Sequence, residues 1–435
     1  MDGYQLGKKA WVHPGNVVVA PDMAVANTCR RRVWQFRVGL MAVCLLAPAG
    51  LRAQESKDGN FEEVGLNFDL RHIGNAARAS AVTAATRGLV LEDQRLTVGV
   101  DIAVSRTLGR NTLKLAGSVG YDFYRRNERL NRERIELRGE VGMNVGPCLA
   151  EVTARLDRRQ SDLERIGFVN LPGEDSVRNT ETVQVYRVEG RCGYVYGLRP
   201  SFGYEHSRGD NSNPLRDISD NKGNRVFGGL AYDHPVVGKA KLTYEREKVD
   251  FVNRVPGPLA LSTGYRVDEM RLQLSRDIGT AITAEAMIAY NWLKPDDSAA
   301  PDFKGTTWRL GATFRAGNRL QIRALTERSL RPSLGGEALY SKQSFNEVRG
   351  TFALSERLTA SGGFNISKLD YSGAQANFGP LLEEDKFRRI FAGMTMRTSR
   401  RLELTLEGGH EKRDGTGAIY DYSGGYVGLR GRLKL

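Results

Sequence analysis

The sequence predicts an all-β protein: one up-and-down antiparallel barrel of about 16–18 strands. Three observations lead to this prediction. Segments in which apolar and polar residues alternate recur from about residue 94 to the last residue, and a period of two indicates strands. Short turns and long polar loops alternate between these segments. Only 14 prolines accompany 49 glycines, a composition that suits many strands with few breakers.

The first 53 residues have the pattern of an export signal. A basic stretch, "CRRRVWQFR", precedes about a dozen apolar residues, and small residues follow. We therefore predict a signal peptide over 1–53, cleaved after Ala53, with Ala49 as a second candidate. Met23 is an alternative start that would give the leader a more usual length.

Residues 54–93 form an N-terminal segment in this prediction. The stretch "EVGLNFDLRH" is a weaker candidate for a first strand, near 63–72. The following stretch, 73–93, is compatible with a loop, a short helix or a plug. With this candidate strand the number of strands is even. Both ends of the barrel then lie on the same side.

The predicted barrel occupies 94–435 and begins with a hairpin between Arg95 and Phe123, whose turn is "TLGRN". The other candidate strands lie at about 133–145, 149–159, 181–193, 200–208, 223–233, 239–249, 265–277, 281–293, 304–315, 320–329, 345–355, 358–369, 386–398, 402–412 and 422–435. Short turns such as "VGPC" and "RAGN" alternate with loops such as "HSRGDNSNPLRDISDNKGN". The connections of a Greek-key sandwich are not expected to alternate in length in this way.

The two faces of these strands differ in chemistry. In the last strand Val427 and Leu429 point one way, while Arg430 and Arg432 point the other. Mean hydropathy is −0.42, and beyond the leader no apolar run approaches the roughly 18 residues of a membrane helix. These features exclude a helical membrane protein. They favour a membrane barrel with apolar residues facing lipid, and a secreted soluble β protein is the alternative.

Aromatic residues near the loop-side ends of strands support the barrel. An interfacial girdle is predicted from Phe123, Trp292, Trp308, Tyr371 and Phe387.

Charged residues on the other face are the candidate lumen lining. By alternation these are Glu136, Arg138, Glu140, Glu151, Arg155, Glu269, Glu285, Arg309, Arg323, Glu403, Glu407, Arg430 and Arg432. Charges of both signs on opposing walls would set up a transverse field across a water-filled pore. The alternative is that they pair with one another and close the lumen.

No catalytic residue, metal ligand or cofactor is predicted. His206 and Ser207 are adjacent in "EHSR", so their side chains diverge on a strand and cannot form a nucleophile–base pair. Asp210, Asp217 and Asp220 could offer oxygen ligands to calcium, but they lack the spacing of a calcium loop and suit turns equally well.

Two cysteines remain after the leader, Cys148 and Cys192. The first opens one candidate strand and the second closes the next, and both are equally far from Asn170 at the centre of the loop between them. The register therefore predicts that they face each other within disulfide reach.

These features resemble the outer-membrane β-barrels of Gram-negative bacteria, in particular a porin family of proteobacteria often encoded beside exopolysaccharide genes. The final "YVGLRGRLKL" is similar to the strand that the barrel-assembly machinery reads, although Leu435 replaces the usual aromatic residue. The resemblance implies a pore or conduit in the outer membrane that passes small polar solutes or exports a surface polysaccharide. A non-conducting structural or adhesive barrel that works through its loops is the alternative.

The expected partners of such an outer-membrane pore or conduit are outer-membrane lipid, the barrel-assembly machinery, and polysaccharide or small polar solutes. The formal net charge is +13, and the predicted leader holds seven basic and two acidic residues. The exported chain is therefore only mildly basic, and no nucleic-acid partner is expected.

Overall fold

The structure is a computed structural model of the 435-residue chain. It describes residues 60–160, 177–193, 196–236, 238–254, 262–297, 302–332, 339–372, 383–416 and 421–435. The predicted signal peptide and the alternative start at Met23 lie outside the described residues.

Eighteen β-strands account for most of the described chain. They are β1 Phe61–Ile73, β2 Asp93–Leu108, β3 Asn111–Tyr124, β4 Arg132–Val145, β5 Cys148–Gln160, β6 Thr180–Cys192, β7 Gly197–Asn211, β8 Asn221–His234, β9 Gly238–Phe251, β10 Gly264–Ile278, β11 Ile282–Pro295, β12 Phe303–Ala316, β13 Leu320–Pro332, β14 Tyr340–Ala353, β15 Leu358–Ser372, β16 Glu384–Arg397, β17 Leu402–Gly415 and β18 Tyr422–Lys434. The alternation of apolar and polar residues explains each strand, because it suits a wall with two different surroundings.

The strands form a closed up-and-down barrel. Each strand pairs antiparallel with the next along the chain, and β18 pairs with β1. The closing ladder runs from Gly65, opposite Lys434, to Ile73, opposite Tyr426. Every predicted strand is confirmed, including the weaker candidate near 63–72, which is β1. The predicted fold class is therefore confirmed, at the upper end of the predicted strand number.

The connections alternate in length around the barrel. Those that follow even-numbered strands span two to four residues, and those that follow odd-numbered strands span six to nineteen. All the short turns therefore lie at one rim, together with the start of β1 and the end of β18, and all the long loops lie at the other. Gly109 and Gly146 adopt positive φ angles of 65° and 59° in two of the tightest turns, a conformation that glycine adopts without strain.

The segment after β1 contains a short helix, α1 (Ala81–Thr86), within a long loop. The side chain of Ser80 caps its first turn by accepting a hydrogen bond from the Thr83 N–H. Asp93 and Asn127 join this loop to the next one, since Asp93 accepts from the Asn127 N–H at 2.8 Å and Asn127 donates to the Val90 carbonyl at 2.9 Å. Of the alternatives predicted for 73–93, a loop and a short helix are therefore both present.

Two 3₁₀ helices also lie in long loops, at Glu128–Leu130 and Pro214–Ser219. Among the described residues, no helix has both the length and the apolar character needed to cross a membrane.

Apolar side chains cluster at the long-loop rim instead of forming one central core. One cluster joins the α1 loop, around Ala84 and Leu89, to Leu130 and Val177. The other joins Val249, Phe251, Tyr265, Leu293, Leu339 and Tyr340. These clusters pack the loop ends of the strands, while the middle of the inner wall carries polar and charged side chains.

Candidate functional site

The inner face of the barrel is identified by side chains that meet across non-adjacent strands. Lys241 on β9 donates from Nζ to Glu189 Oε1 on β6 at 2.8 Å, and two strands lie between them in the wall. Arg71 on β1 and Glu407 on β17 approach to 3.9 Å across β18. Residues directly opposite each other in an antiparallel ladder share a face, so the register extends this assignment to every strand.

The register places all the predicted lumen residues on this inner face. Glu136, Arg138 and Glu140 lie on β4, Glu151 and Arg155 on β5, Glu269 on β10, Glu285 on β11, Arg309 on β12, Arg323 on β13, Glu403 and Glu407 on β17, and Arg430 and Arg432 on β18. Asp101 on β2 and Ser118 on β3 lie on the same face.

Six of these residues surround one cavity of about 710 Å³ against the inner wall, and they are Glu136, Arg138, Arg155, Glu403, Arg430 and Arg432. The cavity spans β2 to β5 and β17 to β18, so it follows the concave wall on both sides of β1. Arg432 lies 3.1 Å from Glu63 and 3.3 Å from Asp101, and Arg430 lies 3.0 Å from Asp69. Four guanidinium groups therefore face one space, with carboxylates between them.

Most of the other predicted residues are paired elsewhere on the wall. Lys114 Nζ lies 2.7 Å from Glu140, Arg389 Nη2 lies 3.0 Å from Glu407, and Arg309 Nη1 lies 3.0 Å from Glu327. Glu151 accepts from Arg191 at 3.0 Å, and Glu269 pairs with Arg271. Arg323 lies directly opposite Arg349, and Glu285 lies opposite Gly311. The structure thus separates the predicted set into a cavity group and a group spread around the wall.

The densest ion-pair network on the inner wall was missed by the sequence prediction. Arg225 on β8 lies 3.2 Å from Glu205, 3.9 Å from Glu245 and 2.8 Å from Glu247. Arg271 extends the network to β10 through Glu245, at 2.9 Å. The same alternation that marked the predicted residues could have found these, since "YEREK" places the two glutamates on one face.

The outer face carries the apolar half of the alternation. Phe202, Ile390 and Leu406 are 62%, 63% and 54% exposed, and comparable residues follow on strand after strand around the barrel. Val98 and Val100 of the first hairpin and the predicted lipid-facing Val427 and Leu429 of the last strand lie on this face.

The predicted aromatic girdle is wrong at two of its five positions. Phe123, Trp292 and Trp308 lie on the outer face, but Tyr371 is opposite Ser341 and Phe387 is opposite Arg413, both of which are inner residues. The position of a residue along a strand does not determine which face of the wall its side chain is on, and the prediction used only the position along the strand.

The two cysteines face each other at the short-turn rim. The register pairs Cys148 directly with Cys192, and a disulfide with an S–S distance of 2.06 Å joins them. The bond therefore ties the start of β5 to the end of β6.

The candidate catalytic and metal groups do not assemble into a site. His206 lies opposite Asn224 on the outer face, while Ser207 lies on the inner one. A hydrogen bond that the prediction missed joins His410 Nε2 and Ser423 Oγ at 2.9 Å on the outer face. No acidic partner for the other ring nitrogen is present among the described residues, and a nucleophile–base pair needs such a group to orient the imidazole.

The acidic loop after β7 is held by its own hydrogen bonds. Asp220 accepts from the Asn211 N–H at 2.8 Å and from Asn211 Nδ2 at 2.9 Å, and Asp210 pairs with Arg208 at 2.8 Å. Across the described part of the chain, no group of three or more histidine, cysteine, aspartate or glutamate side chains could hold a metal ion.

No protein-family model matches the chain, and no curated protein matches it. Membership in the exopolysaccharide-associated porin family therefore stays a prediction.

Solved structures similar to the chain include proteins of Pseudomonas aeruginosa, among them the outer membrane protein OpdK. OccK5 (OpdH) is 12% identical, with a TM-score of 0.44 over 86% of this chain and 98% of that one. OccK2 (OpdF) in complex with glucuronate is 13% identical, with a TM-score of 0.45 over 86% and 98%. OpdK with vanillate is 13% identical, with a TM-score of 0.46 over 86% and 99%. Such likenesses assign neither a solute nor an activity to this chain.

Proposed function

We propose that the chain is an outer-membrane β-barrel that forms a pore for small polar or charged solutes. One observation carries the proposal: a closed wall of 18 strands exposes large apolar side chains on its outside and charged side chains on its inside. This is the reverse of a water-soluble barrel. Barrels of this strand number are wide enough for an aqueous channel.

The outer surface supports the membrane location. Water-soluble monomers rarely expose continuous apolar patches larger than a few hundred Å², yet here the exposed apolar residues run around the whole circumference. Lipid is the surrounding that such a band requires. In this proposal the short turns and both ends of the barrel face the periplasm, and the long loops face the exterior.

The inner wall favours small charged solutes as the cargo. Its carboxylates and guanidinium groups offer a transverse field that orients dipolar or charged molecules. Aromatic rings on the wall lie beneath cations: the Arg187 guanidinium is 4.3 Å from the centre of the Phe227 ring, and that of Arg389 is 5.2 Å from the centre of the Phe391 ring. Those rings are buried, so they present little apolar surface along which a sugar chain could slide.

Export of an exopolysaccharide is the finer form of the proposal, and it rests on the family resemblance alone. The charged inner wall argues against a neutral polysaccharide as the cargo. An acidic polysaccharide is therefore the cargo to test for export. The same proposal makes outer-membrane lipid and the barrel-assembly machinery its partners, the latter through β18.

A non-conducting scaffold is the second candidate. The observation in its favour is the packing at the long-loop rim, where Arg413 and Asp385 form a buried bidentate ion pair. Val249, Phe251, Tyr265 and Leu293 of the second apolar cluster also lie on the inner face of β9 to β11 there. Such packing could close the mouth of the barrel.

Single-channel recording distinguishes the two. The purified protein is inserted into planar bilayers of neutral lipid, and current is recorded in 1 M potassium chloride, roughly the condition that screens surface charge. Stepwise openings of reproducible size support the pore. Silence from protein that has folded, checked by strand circular dichroism and protease resistance, supports the scaffold and overturns the pore.

A further inference from the structure

The outer surface just below the long loops is basic over much of the circumference. Every strand from β7 to β17 carries an outward-facing lysine or arginine in its loop-side part, by the register that places the apolar band on the same face. Towards the short-turn rim, apolar residues fill most of the outward positions on these strands. On these strands the outward-facing positive charge is therefore concentrated at the loop-side level, with Arg276 on β10 as an exception near the short turns.

Four neighbouring strands in this belt differ from the rest. Lys294, Lys304, Arg328 and Lys342 face outward on β11, β12, β13 and β14, and none of these four strands has an acidic residue on its outer face. Several other cations of the belt have carboxylate partners, such as Asp414, which lies 2.9 Å from Lys412 Nζ. At the β14 edge Lys342 lies directly opposite Asp370 on β15. These four residues on β11 to β14 and Arg266 on β10, five in all, are called the basic patch.

Like charges stand side by side at the edge of the patch. Lys248, Arg266 and Lys294 occupy the same ladder position on β9, β10 and β11. Asp250 lies 2.9 Å from Lys248 and Asp268 lies 3.6 Å from Arg266, but no carboxylate of the described chain is paired with Lys294. Directly opposed like charges destabilise a sheet, so an anion supplied from outside would stabilise this arrangement.

Two tryptophans set the level of the patch relative to lipid. Trp292 lies opposite Lys304, and Trp308 lies opposite Arg328, whose guanidinium is 5.4 Å from the indole centre. Tryptophan prefers the head-group level of a membrane. The cations beside and above these rings therefore lie at the height of lipid phosphates.

We infer that the basic patch binds the phosphate groups of anionic lipids in the leaflet on the long-loop side. Arginine offers paired N–H groups to phosphate oxygens, and lysine offers a compact charge. The inference rests on the proposed membrane location. It goes beyond that proposal because it assigns a lipid class to one arc of the barrel.

Tryptophan fluorescence can test this inference without an added label. It has four tryptophans, and only Trp292 and Trp308 lie beyond the predicted leader. The protein without its leader is folded into phosphatidylcholine vesicles that contain brominated phosphatidylglycerol or, in parallel, brominated phosphatidylcholine. Bromine quenches only nearby indoles, so the ratio of the two quenching curves gives the local preference for the anionic lipid.

The expected preference is about fivefold, which corresponds to about one effective cation at the surface, and 1 M salt should abolish it. The variant Lys294→Gln, Lys304→Gln, Arg328→Gln should lower the ratio to about one. The matched variant Lys368→Gln, Arg388→Gln, Lys412→Gln removes the same charge at the same rim, from residues that have carboxylate partners, and should keep the preference.

Two results would overturn the inference while leaving the membrane location intact: strong quenching by both lipids with no preference, or an equal loss of preference in both variants. Folded protein whose tryptophans are quenched by neither lipid would overturn the membrane location and, with it, this inference.

Discussion

Lys241 and Glu189 are joined across the inside of the barrel, from β9 to β6, with 2.8 Å between Nζ and Oε1. Glu189 also accepts from Arg187 Nη2 at 2.7 Å, so the pair belongs to the inner network and not to a single ladder. Contacts of this kind cross the inner wall and connect strands that share no backbone hydrogen bonds.

Lys241→Ala should lower the free energy of unfolding by about 1.5 kcal/mol, because a charge-assisted hydrogen bond is lost while Glu189 keeps its arginine partner. Urea unfolding in vesicles measures the change. Lys239→Ala is the control, since Lys239 lies on the same face nearer the short turns and its variant should change stability by less than about 0.5 kcal/mol. Equal losses would mean that the contact across the wall contributes nothing.

The cavity arginines should set ionic selectivity if the pore conducts. Arg430→Gln with Arg432→Gln removes two positive charges from the inner wall, so the local anion concentration falls and the reversal potential moves toward cation preference. Arg106→Gln with Arg276→Gln removes two charges from the outer face and should leave the potential unchanged. An unaltered reversal potential in the first variant would place these arginines outside the conducting path.

The two faces should differ in their access to quenchers. Nitroxide labels at Val100 and Leu404, on the outer face, should collide with lipid-soluble oxygen. Labels at Arg323 and Glu403, on the inner face, should collide with a water-soluble nickel chelate. The opposite pattern in vesicles would contradict both the membrane location and the water-filled interior.

The disulfide should form in the exported protein, because the periplasm is oxidising. Mass spectrometry under non-reducing conditions should show Cys148 and Cys192 in one linked peptide, and two alkylated cysteines would contradict the pairing. The bond encloses a sequence separation of 44 residues, so Cys148→Ser with Cys192→Ser should lower stability by roughly 4 kcal/mol in the chain-entropy model.

The loop after β7 should become more stable in mild acid. Burial raises the pKa of the Asp220 carboxyl, and the nearby Asp210 and Asp217 carboxylates raise it further against the opposing hydrogen bonds from Asn211. A raised pKa in the folded loop means that the protonated form is favoured there, so its contribution to stability is present at low pH and is lost as the pH rises through the folded pKa.

Hydrogen exchange measures this effect. After correction for intrinsic rates, protection of the amides at Asn211 and Arg216 should be greater at about pH 4 than at pH 7. Asp220→Asn should remove the difference, because its side chain stays neutral. Protection that increases with pH in the unaltered protein would show that the charged form stabilises the loop.

Alternation along the chain was enough to predict all 18 strands and the face of each predicted lumen residue. It did not predict how far strands extend at the loop side: β14 begins at Tyr340 and not near residue 345, because the polar residues above the apolar band continue the ladder without a period-two signal. The cavity arginines and the pair between Lys241 and Glu189 were not predictable as contacts. They depend on the curvature of the closed wall and on side-chain reach across it, neither of which a local pattern encodes.

Closure of the barrel through β1 and β18 has a consequence for how it assembles. All other ladders join strands that are neighbours in the chain, so each hairpin can form with little loss of chain entropy. The remaining ladder joins residues more than 350 positions apart, such as Asp69 and Arg430. Until it forms, two edges of the sheet present unpaired N–H and C=O groups, which lipid cannot satisfy. The final strand therefore completes the long-range step of the described barrel, and a ribosome that stalls before β18 would release a chain that can form the hairpins up to β17 but cannot close the wall.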